Sequence, residues 1–311
     1  MIQSISIESS ITFKPLEKVE MNDELIHQIA EIIASYRIVG PNDQYEAVMK
    51  PKMIDLIHEF IGQGKPINMV VPAFPFKSPN HQNKVIGSEA DVGERMTLQH
   101  LNSIGQSVQQ IYPQGAFITI ISDGPCYNDL LGVSDKEVYS YARSLENICE
   151  RLRLKHVRFS NIYTLSGKKN PSTYLEYMET IDSIREEIFT DFLPNAYNFD
   201  QDIKTNPNSL STYRGYLKFL ESDLAIFCKT EGMSKTAARK HHSKVARKMI
   251  ERGKAFSALV KNNSPDHIRL SIHASNNTDK LSISLLPHER YSIFPSHLGI
   301  IHLSFLRRRP V

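Results

Sequence analysis

The run INMVVPAFPFKSPN, residues 67–80, decides how the chain is read. Its first eight residues, INMVVPAF (67–74), are short and almost continuously apolar, as in a parallel strand covered on both faces. Two comparable runs follow: AFITIISDG (116–124), after Gly115, and HVRFSNIY (156–163). Helix-spaced segments separate and follow them. Residues 94–111 place Leu101, Ile104, Val108 and Ile111 on one side. Residues 135–154 do the same with Val138, Tyr141, Leu145, Ile148 and Leu152, and 173–192 with Met178, Ile181, Ile188 and Phe192. Strand alternating with helix three times predicts βαβ units, hence an α/β fold with a Rossmann-like, mostly parallel sheet flanked by helices.

Outward from this core, residues 1–64 read as an N-terminal helical segment packed on it, with helices at 23–36 and 52–62. Residues 65–192 form the βαβ catalytic core. Residues 193–311 complete the same site with a lid or loop, a basic helix and C-terminal strands. Within that last part, 194–215 is rich in Asn, Pro, Ser and Tyr and reads as a long loop or lid. Helices are predicted at 213–230 and 234–252. HIRLSIHAS (267–275), LSISLLP (281–287) and GIIHLSFL (299–306) read as strands of an antiparallel edge or small appended subdomain, a C-terminal α+β portion.

Composition narrows the class. Of 311 residues, 41% are hydrophobic and 23% charged, ordinary for a soluble globular chain. No stretch approaches the ~20 apolar residues of a membrane span. The start, MIQSISIESSITFKP, lacks a basic region followed by an apolar block, so no secretory signal is expected. Three scattered cysteines (Cys126, Cys149, Cys228) fit a reducing, cytoplasmic setting rather than a disulfide framework. A net charge of +3 is too mild to indicate a nucleic-acid partner. The twelve histidines do not fall at zinc-ligand spacing with carboxylates, so no metal site is expected. G-x-G-x-x-G and G-x-S-x-G are absent, which removes the usual dinucleotide and serine-hydrolase readings.

Ligands of an open parallel sheet gather beyond the carboxyl ends of its strands. The loop after the first strand carries Lys77, His81, Lys84, Asp91 and Glu94, and the turn after the second carries Asp123 and Asp129. These loops are expected to meet at one edge. Residues 235–254 hold eight Lys/Arg against one acid, Glu251. On a helical wheel, Lys235, Arg239 and His242 fall within the apolar stripe of Ala238, Val245, Ala246 and Met249, while Lys240, Lys244, Arg247 and Glu251 point away. With Ser234 as N-cap, Lys235 and Arg239 at a helix N-terminus make a candidate phosphate site. The alternative has them reaching solvent along the stripe edge. Arg269 and His273, four apart in a predicted strand, share a face with Ser271, as anion ligands or as buried hydrogen-bonding groups.

Several of these blocks resemble one family. VPAFPFKSPNHQNKVIG (71–87), EADVGE (89–94), IYPQGAFITIISDGPCYNDLLGV (111–133), Tyr139–Tyr141, ARKMIERGKAFSALV (246–260) and IRLSIHAS (268–275) are similar to the isocyanide (isonitrile) synthases of the pyoverdine/dityrosine biosynthesis family. The chain departs from it at FPSHLGIIHL (294–303), where members resemble one another in a Pro-Trp-His segment; this chain has no tryptophan. The resemblance implies an enzyme of secondary metabolism that converts the α-amine of L-tyrosine or L-tryptophan to an isocyanide. Ribulose 5-phosphate is the implied carbon donor, with no metal or organic cofactor. A downstream iron- and 2-oxoglutarate-dependent oxygenase is implied as pathway partner. The alternatives are tyrosine N-formylation, as in the dityrosine branch, and a non-catalytic member. Such chemistry needs a neutral amine, a proton donor and base, and cations for phosphate. The candidate catalytic residues are Lys77, Lys84, Glu94, Asp123 and His81. The candidate substrate- and phosphate-binding residues are Lys235, Arg239, Arg269, His273, Phe74, Phe76, Tyr127 and Asp129.

Overall fold

A computed structural model of the chain describes residues 23–40, 42–273, 275–286, 294–295 and 301–302. Its main sheet has five parallel strands: β1 (Ile67–Pro72), β2 (Ala116–Ile121), β3 (Val157–Ser160), β4 (Ile268–Ser271) and β5 (Leu281–Ser282), in the order β3-β2-β1-β4-β5. Strand order therefore reverses between β1 and β4, and the crevice at such a switch point is where doubly wound sheets bind ligands. The helices are α1 (Asp23–Ala34), α2 (Lys50–Gly62), α3 (Val92–Ile111), α4 (Gly124–Tyr127), α5 (Asp135–Leu152), α6 (Ile162–Leu165), α7 (Tyr174–Phe192), α8 (Phe199–Thr205), α9 (Pro207–Asp223), α10 (Ala225–Thr230) and α11 (Lys235–Asn263). A separate antiparallel pair joins β6 (Phe294–Pro295) to β7 (Ile301–His302).

The strands are not covered equally on both faces as their apolar runs suggest. Ile67, Met69, Val71, Ile118, Ile120, Ile268 and Leu270 are buried on one face. On the other, Asn68, Pro72, Phe117, Thr119, Arg269 and Ser271 are only half-buried. The register sets Val70, itself buried, between Thr119 and Arg269 on this half-buried face. That face leads to the switch point.

On the apolar face, α3 lies against β2 and the start of β3. Asp91 and Glu94 open this helix with reciprocal capping hydrogen bonds. Gly105 sits at the closest approach, where a Cβ would fall 2.4 Å from His156 Cβ and 2.5 Å from the Ala116 carbonyl oxygen. Nearby, His156 Nδ1 is 2.9 Å from that oxygen and Asn102 Oδ1 accepts from the His156 N–H.

Three expectations are corrected. Residues 194–215 are not a long loop: α8 and most of α9 lie there, opened by Asn198 and Asn206, whose side chains cap the first turns. The asparagines and Pro207 that resemble loop composition are N-terminal helix signals. The basic helix does not stop at 252 but runs to Asn263, because Ala255, Phe256, Leu259 and Val260 continue its buried stripe. The runs at 267–275 and 281–287 do not pair antiparallel with each other: β4 and β5 extend the main sheet in parallel, and the antiparallel contact of this edge is the isolated bridge between Arg37 and Ile283. They are joined without a helix by a loop in which Asn277 Oδ1 accepts from the Ser282 N–H and Asn277 Nδ2 donates to Asp43. Of the run 299–306, only Ile301–His302 lies among the described residues, and most of FPSHLGIIHL lies outside them.

Gly105→Ala gains helix propensity worth about 1 kcal/mol but overpacks a site bounded by backbone, which typically costs ~1–3 kcal/mol. Urea unfolding should show net destabilisation; a stabilised variant would contradict this helix–sheet contact.

Candidate active site

Three carboxylate–cation knots fix the loops at the carboxyl ends of the strands. In the first, Lys77 leaves β1 and is buried, with its Nζ 2.6 Å from Glu94 Oε1 and 3.0 Å from Asp91 Oδ2. Glu94 also accepts from Tyr141 Oη at 3.1 Å and from the Asp91 N–H at 2.8 Å. Burial raises the pKa of Glu94 despite the opposing charge of Lys77. In the second knot, Lys84 and Ser78 both bond the buried carboxylate of Asp223, tying the same loop to the end of α9. The third holds the turn after β2. Arg252 makes a two-pronged pair with Asp129 and donates to the Cys126 carbonyl at 3.1 Å. Arg185 donates to the Pro125 carbonyl at 2.7 Å and to Asp135 at 2.6 Å. Burial works against the ionised form of Asp129, but the hydrogen bonds and charge of Arg252 outweigh it, and its pKa is lowered.

Between these knots stands Asp123, just past β2. It occupies the N-cap position of α4 yet makes no side-chain cap. Its Oδ1 is buried and has no hydrogen-bond partner. Desolvation pushes its pKa up to about 7, against the opposing effects of its own backbone N–H and the charge of Lys280. Lys280 directly precedes β5. Because Leu281 pairs with Leu270, Lys280 falls beside Arg269 in the next strand and on the same polar face. Burial and then the like charge of Arg269 bring Lys280 down to about 8, with Asp279 and Asp123 opposing. Arg269 donates to Ser257 Oγ on α11 at 2.9 Å. The Tyr127 and Tyr216 hydroxyls hydrogen-bond each other, and both phenols feel the charge of Asp123. Gly253, in the middle of α11, makes room for them: a Cβ there would lie 3.1 Å from Tyr127 Oη.

The structure thus sets Asp123 within electrostatic reach of Tyr127 and Lys280, and Arg269 within that of Lys280. Lys77, Glu94, Lys84 and Asp129 lie in the surrounding knots, each engaged by protein partners. Phe74 and Phe76 are buried in the core beside them, Phe74 with φ +58° in the left-handed region. Other placements differ from expectation. Lys235 and Arg239 are exposed, so the inward phosphate site on α11 is not formed; the apolar stripe becomes buried only from His242 onward. His81 is exposed at the loop tip. His273 lies beyond the end of β4, in a turn where Ser271 Oγ bonds its backbone, so it does not share a strand face with Arg269. Sequence reading missed Lys280, Tyr216, Arg185 and Arg252. The parallel register of β5 is what selects Lys280, and LSISLLP alone does not give that register. Among the described residues, no three His, Cys, Asp or Glu side chains are grouped to hold a metal ion, and no helix is long and apolar enough to cross a membrane.

Fold and site together define a doubly wound α/β protein with a half-buried acid just past the carboxyl end of β2 and a half-buried amine that enters from the start of β5. A family profile described as pyoverdine/dityrosine biosynthesis protein matches residues 57–304, and the chain belongs to that family. Isocyanide synthase xanB of Aspergillus fumigatus is 39% identical over 246 residues, 76% of this chain but only 32% of that longer protein. An L-tyrosine isonitrile synthase of Xenorhabdus nematophila is 30% identical over 280 residues, covering 89% of this chain and 81% of its own. The crystal structure of the PvcA protein from Pseudomonas aeruginosa superposes with a TM-score of 0.76 at 27% identity, over 88% of this chain and 87% of that one.

Two outcomes follow from these environments. Lys77→Met leaves Glu94 buried without its cation, and breaking such a pair typically costs ~3–5 kcal/mol, readable by denaturant unfolding. A change below about 1 kcal/mol would contradict a structural role for the pair. Asp123 has a folded pKa of about 7, above its ordinary 3.8, so its ionisation favours the unfolded state as pH rises through that window. Asp123→Asn should therefore raise Tm at pH 8 and leave it unchanged near pH 3.5. Equal Tm for the two proteins at pH 8 would contradict the desolvated carboxyl.

Proposed function

We propose that the chain is an isocyanide synthase that converts the α-amine of L-tyrosine or L-tryptophan, with ribulose 5-phosphate as carbon donor. The observation that carries this reading is the Asp123–Lys280 arrangement. A carboxyl near 7 and an amine near 8 can exchange protons at neutral pH. The family relationship supports the product class, and the name of the Xenorhabdus relative supports tyrosine as the first substrate to test.

The reaction asks for several proton transfers and one anion clamp. The substrate ammonium must lose a proton before its nitrogen bonds the carbonyl carbon of the sugar, and Asp123 in its ionised form takes it. The carbinolamine then loses water, for which the same carboxyl, now protonated, is the donor. Carbon–carbon cleavage and expulsion of phosphate build negative charge, for which Arg269, on the half-buried face and with one donor bond to Ser257, is the cation. Asp129, Tyr127 and the Lys77 and Lys84 knots position the loops rather than exchange protons. In this reading no metal or organic cofactor takes part, the enzyme acts in the cytoplasm, and the isocyanide passes to an iron- and 2-oxoglutarate-dependent oxygenase.

Incubation with each aromatic amino acid and ribulose 5-phosphate, followed by tetrazine trapping and mass spectrometry, should reveal an isocyanide. Arg269→Ala should raise the apparent KM for ribulose 5-phosphate by roughly ten-fold or more, the equivalent of one charged hydrogen bond, with little change for the amino acid. Absence of isocyanide from every pairing would overturn the reading.

A further inference from the structure

We propose that the Lys280 amine is the first group to capture the keto sugar phosphate, as an imine, and that the amino-acid amine then displaces it. This deepens the reading above and rests on it for the identity of the sugar.

Four observations converge. Lys280 lies on the half-buried face of the sheet, opposite Arg269 of β4, the strand that borders the switch point. Among the described residues its ammonium has neither a hydrogen bond nor an ion pair, unlike Lys77, Lys84 and Lys254, each of which is paired. Arg269 is its neighbour across the ladder, so a phosphate held by that guanidinium sets the rest of a five-carbon sugar over the lysine. Asp123, half-buried and without a partner for its buried Oδ1, is the acid within electrostatic reach. Burial and the charge of Arg269 also keep a sizeable fraction of the Lys280 amine neutral near pH 8, as a nucleophilic lysine requires.

The steps balance without an outside reagent. Neutral Lys280 adds to the ketone carbon, and the oxygen takes a proton to give a carbinolamine. Asp123 protonates that hydroxyl, water leaves, and the protonated imine of Lys280 remains. The amino-acid amine adds to the imine carbon to give a geminal diamine. The Lys280 C–N bond then breaks with proton transfer to nitrogen, which frees the lysine and leaves the amino acid joined to the sugar as an imine. No group is oxidised or reduced. The gain is that a protonated imine is a better electrophile than a ketone and is formed before the second substrate arrives.

Sodium borohydride added to the whole protein with ribulose 5-phosphate, in the absence of amino acid, tests this directly. Peptide mapping should place the reduced pentose phosphate adduct on Lys280. Lys280→Met should lose the adduct and at least 100-fold of turnover with no loss of Tm. The wild-type protein, but not the variant, should also speed exchange of the ketone oxygen with ¹⁸O-labelled water. Isocyanide formation without an adduct or exchange, an adduct on another lysine, or full turnover by Lys280→Met would overturn the proposal while leaving the synthase reading intact. An adduct on Lys280 with no isocyanide from any amino acid would uphold the lysine chemistry and overturn the synthase reading.

Discussion

The site depends on one constraint: Oδ1 of the half-buried Asp123 is taken out of water and given no hydrogen-bond donor. Ionised carboxylates in such places are costly unless paired, and a protein that keeps one must hold its surroundings rigid enough to deny both water and a donor. The neighbouring turn shows how. Gly124 approaches the Pro75 carbonyl so closely that a Cβ there would lie 2.3 Å from its oxygen, and Ser122 Oγ donates to the Phe74 carbonyl at 3.2 Å. These contacts clamp the exits of β1 and β2 together on either side of Asp123 in the chain.

The charged residues around this centre divide by what they touch. Arg185 and Arg252 spend their donors on the carbonyls of Pro125 and Cys126 and on Asp135 and Asp129, so they shape the turn after β2. Lys77 and Lys84 are spent on Glu94, Asp91 and Asp223. Lys280 and Arg269 are spent least and lie side by side on the polar face. A dense basic composition is thus mostly scaffolding, and the reactive cations are those the protein leaves underpaired. The same logic separates the exposed Lys235 and Arg239 from the site: their charge is fully available but far from any enclosed surface.

Much of the fold was legible because its cues are local. The apolar runs at 67, 116 and 156 and the helical periods between them depend on adjacent residues; Asp91 and Glu94, read as loop groups, prove to be the capping pair that opens α3. The parts that were misread depend on distant ones. Whether β4 runs parallel is decided by pairing with β1, about two hundred residues earlier in the chain, and β5 then follows β4. Arg239 was placed inward by helical phase, but phase says which side a residue is on and not where the neighbouring element stops; α11 is covered only from His242 onward. Asp123 was found because it ends a buried strand. Lys280 was not, since it precedes a two-residue strand whose register only the assembled sheet reveals.

The central claim is measured most directly by ¹³C NMR titration of the Asp123 side-chain carboxyl in the wild-type protein, assigned by its disappearance in Asp123→Asn. The account predicts a midpoint of about 7. A midpoint near the ordinary carboxylate value of about 4 would mean that water or a donor reaches Asp123, and the acid–base role built on its burial would fall.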